Sequence, residues 1–194
     1  MVASRAFGFL DGHRVIGSAD GVQVLDAMPA GRAAALLAEC CGSSRWVTAM
    51  LSRRPFETAD RLHAASTEVW HSLDSDDWLE SFAHHPRIGQ RASDRSQGEQ
   101  NARWSEAEQQ GVDAASEITR SELAKVNRAY EQRFGFIYIV CATGKSADEM
   151  LAFANGRMQH DLGQEIAVAA AEQHAITQLR LQKLVNTLRE SAAT

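Results

Sequence analysis

Phe134-Gly135-Phe136-Ile137-Tyr138-Ile139-Val140-Cys141-Ala142 is the stretch on which the fold class turns. Its aromatic and β-branched side chains have the composition of a buried strand. A buried strand needs a partner, because its backbone N–H and C=O groups must be satisfied away from water. No other run in the 194 residues pairs with it convincingly; on both sides the apolar positions recur at helical spacing. The segment therefore reads as extended chain crossing a helical core. The fold class that follows is all-α, a single-domain helical bundle with one extended apolar segment through it.

Working outward, the chain before this stretch predicts a long helix from about Ser105 to Arg133, carrying Val112, Ile118, Leu123, Val126 and Tyr130, with Gly111 as its weak point. After it, Ser146-Ala147-Asp148-Glu149 is a capping-box start for a helix bearing Met150, Leu151, Ala154 and Met158. A last helix over 163–190 presents Leu181, Leu184, Val185 and Leu188, with Arg180 one turn before Leu184 at the margin of the stripe. Toward the amino terminus, Pro29 can open a helix with Ala33, Leu36, Leu37, Cys40 and Cys41 on one side, stopped by Gly42-Ser43-Ser44. Helices over 46–52, 58–73 and 76–83 follow, the first two separated by Arg53-Arg54-Pro55-Phe56, since a residue before proline is pushed out of the helical region. The last of these delivers the chain to His84-His85-Pro86, with His85 extended at a helix exit. Residues 1–24 differ: glycines at 8, 12, 17 and 21 and the pairs Asp11-Gly12 and Asp20-Gly21 support at most a marginal hairpin. They read as an N-terminal extension with little tendency to order, and residues 25–190 as the helical domain.

Composition narrows the classes of function. With 44% hydrophobic residues and no linker-like tract, the chain can bury one sizeable core. Twenty Lys plus Arg against 25 Asp plus Glu leave a net charge of −5, and no basic run interleaves with aromatics, which argues against nucleic acid and anionic membrane as partners. The longest apolar run, Phe136 to Ala142, is far short of the roughly 20 residues of a transmembrane helix. No signal core opens the sequence and no peroxisomal address ends it. Cys40, Cys41 and Cys141 make a poor disulfide framework and point to a reducing compartment, so the expected location is cytoplasmic.

Each candidate for chemistry has a plainer rival. His85 is a possible general acid or base, with an ordinary pKa near 6.5, or else a surface histidine in a turn. His84 is the weaker candidate, because neighbours on extended chain point apart. Glu108 closes a capping box with Ser105 in Ser105-x-x-Glu108, and the same helix start is a plausible wall for an anionic ligand. Arg180 either lays its stem over the core with its guanidinium in water or aims a fork of donors into a pocket to hold a planar, oxygen-rich ligand. His63 and His71 lie eight apart and no Cys-x-x-Cys or His-x-x-x-His pair exists, so no metal is expected. Phosphate loops, dinucleotide fingerprints and a nucleophile elbow are also missing.

An ordered series of short motifs goes further. Leu36-Leu37-Ala38-Glu39-Cys40-Cys41-Gly42-Ser43, Trp46, Arg54-Pro55-Phe56, His85-Pro86-Arg87-Ile88-Gly89, Ser105-x-x-Glu108-Gln109, Asn127-x-x-Tyr130, Phe134-Gly135-Phe136, Gly144-Lys145-Ser146, Arg157 and Leu179-Arg180-Leu181 together resemble the 2-oxo-4-hydroxy-4-carboxy-5-ureidoimidazoline (OHCU) decarboxylase family over about residues 25–188. The resemblance implies an all-α fold, a homodimer, no cofactor, OHCU as small-molecule substrate and the final enzymatic step from urate to (S)-allantoin. It makes His85 the catalytic histidine and proton donor, and Glu108 and Arg180 the other two essential polar groups. Pro86, the turn Ser105, Glu106, Ala107, Glu108 and Gln109, and the segment Tyr138, Ile139, Val140, Cys141 and Ala142 would wall the substrate, the last offering backbone groups unpaired by any sheet. Ile137 departs from the family, where proline is common, and residues 1–24 have no counterpart. Two alternatives stand beside this reading: a decarboxylase or lyase of another ureido or hydantoin acid, and a non-catalytic helical binding protein.

Overall fold

Each helix begins where a short polar side chain or a proline can take the place of the missing preceding turn. In the computed structural model, which describes residues 20–87 and 116–193, Asp20 caps α1 (Gly21–Ala27) and Pro29 precedes α2 (Ala30–Cys40). Ser43 caps α3 (Ser44–Ser52), accepting from the Trp46 amide at 3.2 Å, and Thr58 caps α4 (Ala59–His71). Asp74 and Asp77 form a capping box for α5 (Ser75–Ala83). Ser116 caps α6 (Glu117–Phe134), which ends on Gly135 at φ 81°. Left-handed backbone of that kind is what glycine tolerates without strain. Ser146 and Glu149 form the expected box for α7 (Ala147–Arg157), and Asp161 with Gln164 forms another for α8 (Leu162–Ala192). Eight helices and no strand are present among the described residues, so the all-α class holds.

The 31-residue α8 is the axis of the bundle, packing against α1, α2, α4 and α5, while α6 and α7 pair with each other. Leu25, Leu37, Trp46, Met50, Leu62, Trp70, Phe82, Leu123, Tyr130, Met150 and Leu181 fill one continuous core. Each large apolar side chain removed from water contributes about 1.5–3 kcal/mol.

Two boundaries differ from the sequence reading. The division at residue 24 falls inside α1, whose Val22 and Leu25 are fully buried. Asp20-Gly21 is a helix start rather than a turn; a Cβ at Gly21 would meet the Val185 carbonyl oxygen at 1.9 Å, so glycine is what lets α1 lie against α8. The single helix expected over 105–133 is also not continuous. Ser116 is extended at ψ 153° and accepts from the Thr119 amide at 3.1 Å, so a new helix starts there; residues 105–115 lie outside the described residues.

The extended segment that decided the fold is held by side chains instead of strands. Arg157 donates to the Ile139 carbonyl at 2.8 Å, Glu172 accepts from the Cys141 amide at 2.7 Å, and Lys145 Nζ donates to the Cys141 carbonyl at 2.6 Å. Arg157 is itself fixed by Glu165, which is fully buried and also takes the Tyr130 hydroxyl and contacts His160 Nδ1 at 2.7 Å. Burial, then the Glu165 carboxylate, raises the Tyr130 pKa, so the hydroxyl stays a donor. These contacts, with the Lys145 amide on the Ala142 carbonyl at 3.0 Å, engage the Ile139, Cys141 and Ala142 carbonyls and the Cys141 amide. Among the described residues, the Val140 amide and carbonyl keep no such partner.

Candidate active site

The turn bearing His85 is clamped from both sides. His84 caps α5, and its backbone is helical rather than extended, at φ −84° and ψ 0°. Its ring sits over Gly42, and its Nδ1 lies 3.0 Å from the Glu80 carbonyl. The Glu80 carboxylate in turn accepts from the Ser44 amide at 3.0 Å and the Ser44 hydroxyl at 3.1 Å, tying α5 to the start of α3. On the other side Arg87 makes a two-pronged pair with Glu131 of α6, Nε at 2.9 Å and Nη2 at 2.7 Å. Such pairs fix direction as well as distance. His85, whose amide donates to the Phe82 carbonyl at 3.1 Å, and Pro86 lie half-buried between these anchors.

Facing them is a polar stripe on a helix that is otherwise apolar at its core face. Gln173, Thr177 and Arg180 recur at helical spacing and are 0%, 0% and 1% exposed. The Arg180 guanidinium therefore points inward, with Nη1 donating to the Glu39 carbonyl at 3.3 Å, and the reading that left it in water is ruled out. Burial and then the nearby Arg180 charge drive the His85 pKa down, from 6.5 to about 3. Gln173 works in the opposite direction and His84 adds to the fall. His85 is consequently a neutral imidazole at physiological pH, able to accept a proton on one nitrogen and donate from the other. Cys41 joins this wall beside Thr177; burial foremost pushes its thiol up to about 12, so it is a small apolar surface and not a nucleophile.

The residues singled out in the sequence divide into three sets. His85, with Pro86 next to it in the chain, is brought to Arg180. Tyr138, Ile139, Val140 and Ala142 are buried and Cys141 half-buried, in a segment fastened through Cys141 to Glu172, the neighbour of Gln173, which places its end beside the same stretch of α8. Ser105, Glu106, Ala107, Glu108 and Gln109 lie outside the described residues. Gln173, Thr177 and Cys41 were missed; the available signal was two uncharged polar residues on the stripe that continues into Arg180, Leu181 and Leu184. Among the described residues no group of three His, Cys, Asp or Glu side chains is arranged to hold a metal ion.

A helical domain with a neutral imidazole set against a buried guanidinium belongs to the class of proteins that can bind an anionic, oxygen-rich small molecule and move protons on it. The family model for OHCU decarboxylase matches residues 26–182, and the chain belongs to that family. It is 36% identical over 146 residues to the uric acid degradation bifunctional protein TTL of Arabidopsis thaliana, covering 75% of this chain and 45% of that protein. The chain thus spans less than half the length of that plant relative. It is 29% identical over 141 residues to the 2-oxo-4-hydroxy-4-carboxy-5-ureidoimidazoline decarboxylase of Haloferax volcanii, covering 71% of this chain and 80% of the relative. A crystal structure of OHCU decarboxylase in the presence of (S)-allantoin superposes with a TM-score of 0.66 at 33% identity, covering 77% of this chain and 96% of that one.

Proposed function

We propose that the protein is a cofactor-independent carboxy-lyase that converts OHCU to (S)-allantoin. The observation that carries this reading is the meeting of half-buried His85 with the buried Arg180 guanidinium within a chain of that family. In the substrate, the carbon bearing the carboxylate also bears a hydroxyl and adjoins a ring C=N bond. As the C–C bond to the carboxylate breaks and CO2 departs, its electron pair forms a C=C bond with the neighbouring carbon, and the former C=N nitrogen takes one proton from solvent, the proton that decarboxylation of a carboxylate consumes. The immediate product is an enol; moving its hydroxyl proton to the neighbouring carbon gives allantoin.

Neutral His85 suits the relay, because it can accept the hydroxyl proton and return it to one face of that carbon, which sets a single handedness. An incoming carboxylate offsets the Arg180 charge that holds the imidazole unprotonated, so substrate binding itself favours the imidazolium. Arg180 holds a ring carbonyl and stabilises negative charge as it develops on the ring. By resemblance, Glu108 orients the hydroxyl or His85, and Pro86, the 105–109 turn and the 138–142 segment wall the ring. The backbone of Val140 suits hydrogen bonds to the ureido group. A cytoplasmic homodimer is the expected form, the first from cysteine usage and the second from the resemblance.

The test generates OHCU in situ from urate with the two preceding enzymes and follows the circular dichroism of (S)-allantoin. Accelerated, single-handed product is expected. A rate equal to the spontaneous reaction would refute the reading, and His85→Asn with near-normal turnover in a folded protein would refute the assignment of His85.

A further inference from the structure

Gln173 is fully buried, yet its side-chain Oε1 has no hydrogen-bond partner. Leaving a buried carbonyl unsatisfied costs about 1–3 kcal/mol, and an aliphatic side chain of similar size would avoid that cost. The two ends of the amide are told apart by Thr177. Thr177 Oγ1 donates its single proton to the Gln173 backbone carbonyl at 3.1 Å, so toward the side chain it can only accept, and the Gln173 atom at 3.3 Å is the Nε2 donor. Oε1 is therefore the end left over, on the side chain that lies close enough to the His85 imidazole to favour a proton on it. The contact is not closed into a well-directed hydrogen bond in the free protein, as is common for catalytic pairs before substrate binds.

We propose that Gln173 is a positioning residue for His85: its amide oxygen accepts the imidazole N–H, fixing one tautomer and leaving the opposite ring nitrogen bare to take the substrate's hydroxyl proton. An amide oxygen has no proton to give, so the ring nitrogen that faces it must be the protonated one. Arg180 and His84 repel a proton on this ring, and Gln173 offers it a neutral acceptor. As the imidazole takes up the hydroxyl proton and becomes cationic, the contact becomes charge-assisted and shortens. Thr177 is the brace that stops the amide from flipping. The substrate-facing half of this inference rests on the proposed function, whereas the tautomer is a property of the free protein.

Nitrogen-15 NMR of the imidazole, with His85→Asn used for assignment, separates the two. In the wild-type protein one tautomer should dominate, and Gln173→Leu should turn it into a mixture. The same tautomer ratio in both proteins would overturn the proposal whether or not the protein decarboxylates OHCU. In turnover, Gln173→Leu should lower kcat by about tenfold to a hundredfold, part of the 10²–10⁴ that positioned proton transfer supplies, with little change in KM. Gln173→Glu, which keeps an acceptor for the imidazole once the Thr177 hydroxyl turns from the backbone carbonyl to donate to the second carboxylate oxygen, should recover most of kcat and move the acidic limb of the pH profile upward. A loss confined to KM, or a Glu variant no better than Leu, would overturn the positioning role. Absence of turnover in the wild-type protein would instead refute the proposed function and leave the tautomer experiment to decide Gln173.

Discussion

Gly42→Ala should cripple the site without touching a residue that contacts substrate. A Cβ at position 42 would lie 2.4 Å from the His84 Cγ, 2.5 Å from Nδ1 and 2.6 Å from Cβ. Turning the ring relieves the first two contacts but not the third, because rotation about Cα–Cβ leaves Cβ where it is. Ordinary contact begins near 3.4 Å, so the His84 backbone or the chain at Gly42 must retreat by about 0.8 Å. Cys41 and Ser43, 1% and 0% exposed, hold the Gly42 side in place, and the displacement passes to the α5 exit and so to His85. Misplacing a reacting group by about 1 Å costs on the order of 100-fold in rate. Overpacking of this kind costs about 1–3 kcal/mol of stability. The assay is kcat/KM for (S)-allantoin formation beside a thermal melt, on Gly42→Ala, His84→Gly and the double variant. His84→Gly removes all three clashing atoms, so the double variant should regain most of what Gly42→Ala loses. Wild-type kcat/KM in Gly42→Ala, or a double variant no better than the single, would refute the chain of contacts from Gly42 to His85.

Removing Arg157 with Arg157→Met leaves the fully buried Glu165 without its cation and should cost about 3–5 kcal/mol in urea unfolding, with part regained by adding Glu165→Gln. Folded His85 resists protonation down to about pH 3 whereas the unfolded chain takes the proton near 6.5, so its contribution to stability is complete above about pH 6.5 and is lost as the pH falls toward 3. His85→Asn should therefore flatten the fall in urea midpoint between about pH 7 and about pH 4, and an unchanged slope would count against an imidazole that the fold keeps neutral. Iodoacetamide on the native protein should label the half-buried Cys141 ahead of Cys40 and Cys41, which are 0% and 1% exposed, and all three after unfolding, as read by mass spectrometry.

Local signals carried most of the fold. The Ser146 and Glu149 box, the Ser43 stop-and-start, the break at Arg54-Pro55 and the exit before Pro86 are decided within a few residues of chain, and each stands close to where the sequence put it. Asp20-Gly21 was misread because its use depends on α8: the glycine is required by the Val185 carbonyl, which no local pattern records. Arg180 was ambiguous for the same reason. At the edge of an apolar stripe its guanidinium can point either way, and only the packing of α2 and α5 over α8 turned it inward.

What the sequence by itself determined is the all-helical class, the partnerless extended segment and the position of His85 at a helix exit, all consequences of spacing and of backbone hydrogen-bonding need. Its ordered motifs also marked the family. What only the tertiary structure decided is the state of the groups. The neutrality of His85 follows from burial beside Arg180, the inertness of Cys41 from desolvation, and the amide oxygen left for the imidazole from the Thr177 hydroxyl having its one proton already engaged. Charge state, tautomer and solvent exclusion depend on what lies within a few ångströms in space, and residues far apart along the chain supply those neighbours.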